Sequence, residues 1–185
     1  MKIRLATSEI QRDSIVDGEG IRSVIWTQGC IHNCKGCHNP ETHSFQEGIL
    51  IDVDIIKEKI DSLEGQDGIT FSGGDPMEQA SACSEIAKYS KKLGLNVWCY
   101  TGYTFEELLK KSEHIPAIKE FLSNIDVLVD GKFVLSEKSY DVVFRGSKNQ
   151  RLIDVKSSLE NNRVVELHKY NQILKKDTKK TRLYV

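Results

Sequence analysis

Short β-rich runs alternate with helix-like segments along this chain, and this alternation restricts its fold more than any other feature. The β-rich runs are SVIWT at 23–27, GITF at 68–71, NVWCY at 96–100, IDVLV at 125–129 and RLIDV at 151–155. Apolar residues recur at helical spacing between these runs, at 53–63, 77–93, 105–111 and 115–122. Strands that alternate with helices predict an α/β fold with parallel strands and right-handed crossovers.

The length of the chain limits how far such a sheet can close. A complete eight-stranded α/β barrel typically needs about 250 residues, and this chain has 185. We therefore predict an incomplete, partial TIM-type βα barrel with a curved, mainly parallel sheet. Residues 1–155 would form this domain. In such folds the functional site collects at the carboxyl ends of the strands.

Residues 156–185 are predicted to be a basic C-terminal extension of the same domain, because they carry 8 Lys/Arg against 3 Asp/Glu. Val164, Leu167, Tyr170 and Leu174 give this extension a partial helical stripe. The simplest interpretation is a solvated basic helix with a frayed end. The alternative is a contact with an acidic surface of a partner.

Composition excludes several classes of protein. The longest apolar run covers only residues 97–100, whereas a membrane span needs about 20 residues. The first residues, MKIRLATSEIQRDS, lack the apolar core of a signal peptide, so we expect a cytoplasmic protein. A net charge of −1 argues against general binding of nucleic acid.

Three of the five cysteines lie within eight residues, as Cys30, Cys34 and Cys37 in a C-x3-C-x2-C pattern. Under reducing conditions such a cluster indicates a metal site or a catalytic site rather than disulfides. Three thiolates can hold three corners of a cubane iron–sulfur cluster and leave one iron open. Cys83 and Cys99 are predicted to be small buried hydrophobes.

Zinc is the alternative that the cysteine spacing leaves open. A zinc site usually takes four protein ligands, and His32, His38 or His43 is near enough in sequence to complete one.

Polar and glycine residues follow several predicted strands. In SGGDP at 72–76, two glycines let the backbone approach a ligand closely. The plainer interpretation is a turn with Asp75 as helix N-cap and Pro76 at the first helical position. Asp130 and Lys132 follow an apolar strand, where charges need a strand end, a cleft or a partner; a solvated turn is the alternative for Lys132.

Six motifs, in order along the chain, resemble those of a known family. They are DGEGIR at 17–22, CHNPET at 37–42, SGGDP at 72–76, YTGYT at 100–104, DVLVDG at 126–131 and RGSKNQR at 145–151. Together with the cysteine pattern they resemble the radical S-adenosylmethionine enzymes, in particular the glycyl-radical activases of anaerobic ribonucleoside-triphosphate reductase. The resemblance runs over about residues 1–155.

The resemblance implies a cofactor set and a reaction. Cys30, Cys34 and Cys37 would bind a [4Fe–4S] cluster, and S-adenosylmethionine would chelate the open iron. An electron from a low-potential donor such as a flavodoxin would cleave S-adenosylmethionine to methionine and a 5′-deoxyadenosyl radical. That radical would take a hydrogen atom from a glycine Cα in the large subunit of the reductase.

The resemblance also implies roles for individual residues. Contacts to the cofactor would come from His38, Ser72, Gly73, Gly74, Asp75, Thr101, Asp130 and Lys132. Contacts to the partner would come from Asp17, Gly18, Arg22, Arg145, Asn149 and Gln150.

One position departs from the superfamily. Many radical S-adenosylmethionine enzymes carry an aromatic residue before the last cysteine, and this chain has Gly36 there. The adenine contact must therefore come from elsewhere, and we expect the glycine to leave the loop more open.

Two other functions stay open at this point. One is a small enzyme similar to 7-carboxy-7-deazaguanine synthase that acts on a pterin-like metabolite, although CHNPET, YTGYT and RGSKNQR fit it poorly. The other is a non-catalytic iron–sulfur or zinc protein.

Overall fold

One eight-stranded sheet carries the fold in the computed structural model, which describes residues 1–170. The strands are β1 (Lys2–Leu5), β2 (Gln11–Ser14), β3 (Arg22–Thr27), β4 (Ile49–Asp52), β5 (Gly68–Gly73), β6 (Asn96–Tyr100), β7 (Val127–Asp130) and β8 (Arg151–Asp154). The α-helices are α1 (Val53–Asp61), α2 (Ala80–Lys92), α3 (Phe105–Ser112), α4 (Pro116–Ser123) and α5 (Val155–Asn161). None of the helices within these residues is long and apolar enough to cross a membrane.

The strand order is β4-β1-β3-β5-β6-β7-β8, with β2 also paired to β3. The four strands β3, β5, β6 and β7 run parallel to one another, so the predicted α/β fold is confirmed. The prediction of a mainly parallel sheet is corrected, because β1, β2, β4 and β8 all pair antiparallel. The two edge strands β4 and β8 do not meet, so the sheet is open and the barrel is not confirmed.

The three strands β1, β2 and β4, which sequence reasoning missed, are short and come from the first part of the chain. β2 reads QRDS and is exposed at three of its four positions, so it has no apolar alternation to detect. β1 and β4 have four residues each. SVIWT is therefore part of the third strand rather than the first.

The two faces of the sheet are covered differently, as the alternation of side chains along a strand requires. In β6, Val97 and Cys99 belong to the core that α1 to α4 cover. Trp98 faces the other side, where it packs with Val129 and Leu152. Cys83 and Cys99 are both fully buried, as predicted, and burial raises the pKa of each thiol.

The predicted basic helix at 164–174 is wrong within the described residues, and Leu174 lies outside them. After α5 the chain is extended, with a β-bridge between Glu166 and Ile153, and then makes one 3-10 turn at His168–Tyr170. The Tyr170 side chain is buried, with its ring centre 5.9 Å from that of Trp98. Leu167 and Tyr170 thus pack on the face of the sheet that carries Trp98, whereas Val164 packs on the core of the other face.

Asp130 at the end of β7 is 1 % exposed and has its charge matched within the chain. Its carboxylate accepts a hydrogen bond from the Phe105 backbone N–H (2.8 Å) and forms an ion pair with Arg151. Glu106, which is exposed, binds the same guanidinium. Asp130 therefore joins the start of α3 to β8.

We expect Asp130→Ala to lower the free energy of unfolding by about 3 kcal/mol, because it leaves a half-buried guanidinium and a buried N–H without their acceptor. The matched control Glu106→Ala removes the exposed partner of the same arginine and should cost less than about 1 kcal/mol. Urea denaturation of the full chain measures both values, and equal losses would contradict this role for Asp130.

Candidate functional site

A cavity of about 350 Å³ opens at the carboxyl ends of β3, β5 and β6, where the α/β topology predicts the site. It brings together many of the residues predicted from the motifs. These are Cys30, Cys34, Cys37, His38, Ser72, Gly73, Gly74, Asp75, Thr101, Asp17 and Gln150. Gly18, Arg22, Asp130, Lys132, Arg145 and Asn149 are not among its lining residues.

The cysteine loop, residues 30–37, leaves the end of β3 and is held by backbone hydrogen bonds. The Cys30 N–H donates to the His43 carbonyl (3.1 Å), and the Cys37 N–H donates to the Cys34 carbonyl (3.1 Å). All three cysteines are partly exposed and line the same cavity. These backbone hydrogen bonds fix the first and the last cysteine of the loop.

Backbone N–H groups face each of the three sulfurs. The amides of His32 and Asn33 face the Cys30 sulfur and the amide of Phe133 faces the Cys34 sulfur, and each of them lowers the pKa of the thiol that it faces. The Cys37 sulfur accepts a hydrogen bond from the Asn39 amide, at 3.4 Å. Such donors favour negative charge on sulfur, which is the form that binds metal.

Desolvation opposes these donors in the free chain. It raises the pKa of Cys30 to about 11 and raises the pKa of Cys34 as well. A cluster that binds here has to displace the thiol protons.

The donor set fits a cubane cluster better than a single ion. Within residues 1–170, no three His, Cys, Asp or Glu side chains converge closely enough to hold one metal ion. A [4Fe–4S] cluster takes its cysteine ligands from around a shared cavity, and the three cysteines line one cavity here. The mononuclear zinc site that the spacing also permits is not assembled by the described side chains.

Asp75 joins the segments that surround the cavity. Its carboxylate accepts hydrogen bonds from the Thr101 hydroxyl (2.9 Å) and the Gly102 backbone N–H (2.9 Å), and its Oδ2 lies 2.7 Å from His32 Nε2. It also caps the 3-10 helix Pro76–Gln79 by accepting from the Met77 N–H (3.0 Å). The predicted N-cap is confirmed, while a direct contact of Asp75 with cofactor stays a prediction.

Gly73 and Gly74 are required by the packing of two backbones. A Cβ on Gly73 would lie 2.6 Å from the Thr27 carbonyl oxygen, and one on Gly74 would overlap the backbone of Gly29. The Gly74 N–H donates to the Thr27 carbonyl, and the Asp75 N–H donates to the Gly29 carbonyl. The glycines therefore bring the end of β5 against the base of the cysteine loop.

The DGEGIR motif is divided between the two ends of the sheet. Asp17 lines the cysteine cavity, whereas Arg22 is 1 % exposed at the amino ends of the parallel strands. The Arg22 guanidinium donates to Thr70 Oγ1 and to the backbone carbonyls of Ile69 and Glu19. In this structure Arg22 supports the fold, and contact with a partner stays a prediction.

Gly18 also has a role within the chain. It has a φ of +127°, and a Cβ there would lie 2.8 Å from the Trp98 ring. A larger cavity of about 610 Å³ borders Arg22 and Trp98, but no cysteine lines it. Size alone therefore does not locate the chemistry.

The RGSKNQR motif folds back on the loop that follows β7. The side-chain amide of Gln150 donates to the Gly131 backbone carbonyl (3.0 Å). The side-chain amide of Asn149 donates to the Lys132 backbone carbonyl (2.8 Å). Arg145 donates to the Gln150 and Tyr170 carbonyls. Of these three side chains only Gln150 belongs to a residue that lines the cavity, and the Lys132 side chain is exposed.

Phe133 is an aromatic residue of the cavity that sequence reasoning missed. Its ring centre lies 4.9 Å from that of His38, at a tilt of 48°. The Leu135 side chain lies 2.9 Å from where a Cβ on Gly36 would be, and the more open loop expected from this glycine stays a prediction. No sequence signal pointed to Phe133, since it follows a polar turn and belongs to none of the recognised motifs.

We expect Gly74→Ala to displace the cysteine loop and to reduce iron and sulfide bound per chain severalfold after anaerobic reconstitution. The added methyl group cannot coexist with the Gly29 backbone. The control Gly65→Ala adds a methyl group with nothing within 4 Å, at a φ of +67°. It should keep full iron content despite about 1 kcal/mol of backbone strain, and full loading of Gly74→Ala would contradict the packing argument.

Comparison with known proteins agrees with this geometry. Residues 16–153 match the family described as a 4Fe-4S single cluster domain. The chain is 34% identical over 146 residues to the anaerobic ribonucleoside-triphosphate reductase-activating protein of Haemophilus influenzae, covering 74% of this chain and 89% of that protein. It is also 34% identical over 145 residues to the protein of that name from Escherichia coli K12, covering 74% and 90%.

The phage T4 protein of the same name is 34% identical over 148 residues, covering 74% of this chain and 86% of the phage protein. The chain therefore belongs to the family of anaerobic ribonucleoside-triphosphate reductase-activating proteins.

Proposed function

We propose that this chain is a radical S-adenosylmethionine activase that generates a glycyl radical on an anaerobic ribonucleoside-triphosphate reductase. One observation carries the proposal: three cysteines, without a fourth, line one cavity together with the glycine-rich end of β5. Cys83 and Cys99 are fully buried elsewhere and cannot supply a fourth thiolate. A three-cysteine cluster leaves one iron for a second ligand.

The residues of the cavity would divide the work of holding both cofactors. Cys30, Cys34 and Cys37 would hold the cluster, with the backbone N–H groups that already face their sulfurs. The backbone of Gly73 and Gly74 lines the cavity beside them, and its carbonyl oxygens would accept hydrogen bonds from the ammonium group of S-adenosylmethionine. With both bound, the cofactors supply a one-electron cleavage of the sulfonium and a radical that can abstract hydrogen.

His38 and Phe133 are the aromatic residues we propose for the adenine. They pack on each other at the cavity wall, and the position directly before Cys37 holds Gly36 rather than an aromatic residue. Thr101 and Ser72 would contribute hydroxyl groups from the same wall. Asp130, by contrast, is occupied by Arg151, so its effect on the cofactor would be indirect, through the position of the loop after β7.

The names of the relatives support the choice of partner. Each of these relatives is named as an activating protein of anaerobic ribonucleoside-triphosphate reductase. We propose the large subunit of that reductase as the substrate and a low-potential protein such as a flavodoxin as the electron donor, both met in the cytoplasm.

The first test measures 5′-deoxyadenosine from the anaerobically reconstituted chain with S-adenosylmethionine and a strong reductant. We expect Cys34→Ala to abolish this product, because the cluster loses one of three ligands. The matched control Cys83→Ala removes a thiol that is fully buried away from the cavity and should retain product formation. No product from a fully loaded wild-type cluster would refute the radical mechanism.

The second test adds the anaerobic reductase and records its electron paramagnetic resonance spectrum. We expect a glycyl radical signal with the wild-type chain and none with Cys34→Ala. Formation of 5′-deoxyadenosine without a glycyl radical would leave the cleavage chemistry standing and overturn the choice of partner.

A further inference from the structure

The side chain of His32 is buried although it lies in an exposed loop. Its side chain is 5 % exposed, whereas the neighbouring Ile31 is 56 % exposed. The hydrophobic effect alone would bury the isoleucine. The polar contacts of His32 must therefore decide which of the two side chains enters the protein.

Those contacts connect the cysteine loop to two strand ends. Nε2 of His32 lies 2.7 Å from Oδ2 of Asp75, which is itself 1 % exposed. The imidazole and the Tyr103 ring pack at a steep angle of 75° with their centres 4.5 Å apart, and the imidazole occupies the space that a side chain at residue 102 would need. Gly102 thus makes room for His32, which accounts physically for the glycine in YTGYT.

The backbone of His32 performs a second task. Its amide N–H, with that of Asn33, faces the Cys30 sulfur and favours the negative form of that thiol. Asn33 has a φ of +46°, in the left-handed region, so the backbone turns sharply directly after these two amides. The ring and the donating amide belong to one residue, so an anchored ring restricts where the amide can point.

We propose that His32 is a positioning residue that sets the reduction potential of the cysteine-bound cluster. Its ring, held by Asp75, keeps its own amide N–H on the Cys30 sulfur. The inference rests on the proposed function, because it concerns the same cluster.

Electrostatics give the direction of the effect. The reduced cluster carries one more negative charge than the oxidised cluster, so an N–H donor to a ligand sulfur stabilises the reduced form more. Loss of the ring anchor frees the amide and should make the potential more negative. Iron content should change much less, since all three thiolates remain.

The experiment is a potentiometric titration of the reconstituted full chain, followed by electron paramagnetic resonance, without S-adenosylmethionine. The variants are His32→Leu, which cannot bind Asp75, and His32→Gln, which carries an amide N–H at the end of a side chain of similar reach. We expect His32→Leu to lower the ratio of reduced to oxidised cluster at a fixed potential by up to about tenfold, or about 59 mV for one electron. His32→Gln should stay near the wild-type potential.

His114→Leu, in an exposed position beyond α3, controls for the substitution itself and should leave the potential unchanged. A loaded His32→Leu with the wild-type potential, or an equal shift in His32→Leu and His32→Gln, would overturn the proposal. If His32→Leu takes up no cluster, His32→Asn decides, since its shorter amide cannot reach Asp75: a more negative potential supports the proposal and a wild-type value overturns it.

The two proposals fail in different ways. A wild-type chain that takes up no [4Fe–4S] cluster refutes the proposed function and this inference with it. A normal yield of 5′-deoxyadenosine alongside an unshifted His32→Leu potential refutes this inference alone.

Discussion

A carboxylate removed from water must be surrounded by donors, and this requirement organises the site around Asp75. The donors come from three segments that are far apart in sequence: His32 in the cysteine loop, Thr101 and Gly102 after β6, and Met77 in the turn after β5. If one segment moved away, the buried charge would lose a partner. The hydrogen bonds to the buried Asp75 carboxylate therefore hold the segments around the cavity together at its base. The three cysteines stay partly exposed at the cavity.

The parallel strands place the Asp75 hydrogen-bond network beside the cysteine loop. β3, β5 and β6 end side by side, and the absence of a Cβ at Gly74 lets the end of β5 touch the base of the cysteine loop. At the opposite ends of the same strands, the Arg22 guanidinium is buried, and it donates hydrogen bonds to a backbone carbonyl and to a side-chain hydroxyl. One sequence motif thus contributes Asp17 to the site and Arg22 to the support of the sheet.

Much of the fold and the site was accessible from the sequence, and the failures have physical reasons. The central strands and the four longer helices follow from the periodicity of apolar residues, which is a local property. β2 has no such periodicity, and the direction of β8 depends on a chain reversal that its own residues do not encode. The helical spacing of Tyr170 predicts a solvated helix, because its contact with Trp98, which is distant in the chain, is not visible in a local pattern.

The sequence by itself determined the three candidate cluster ligands and indicated the family. Cys30, Cys34 and Cys37 are close in the chain, and the order of the six motifs can be read from the sequence alone. Only the tertiary structure decided which motif residues face the cavity and which support it. Asp130 is paired with Arg151, Arg145 holds backbone carbonyls, and His32 rather than Ile31 is buried. These outcomes depend on which groups meet across the sheet, because a buried polar atom takes its role from the partners that satisfy it.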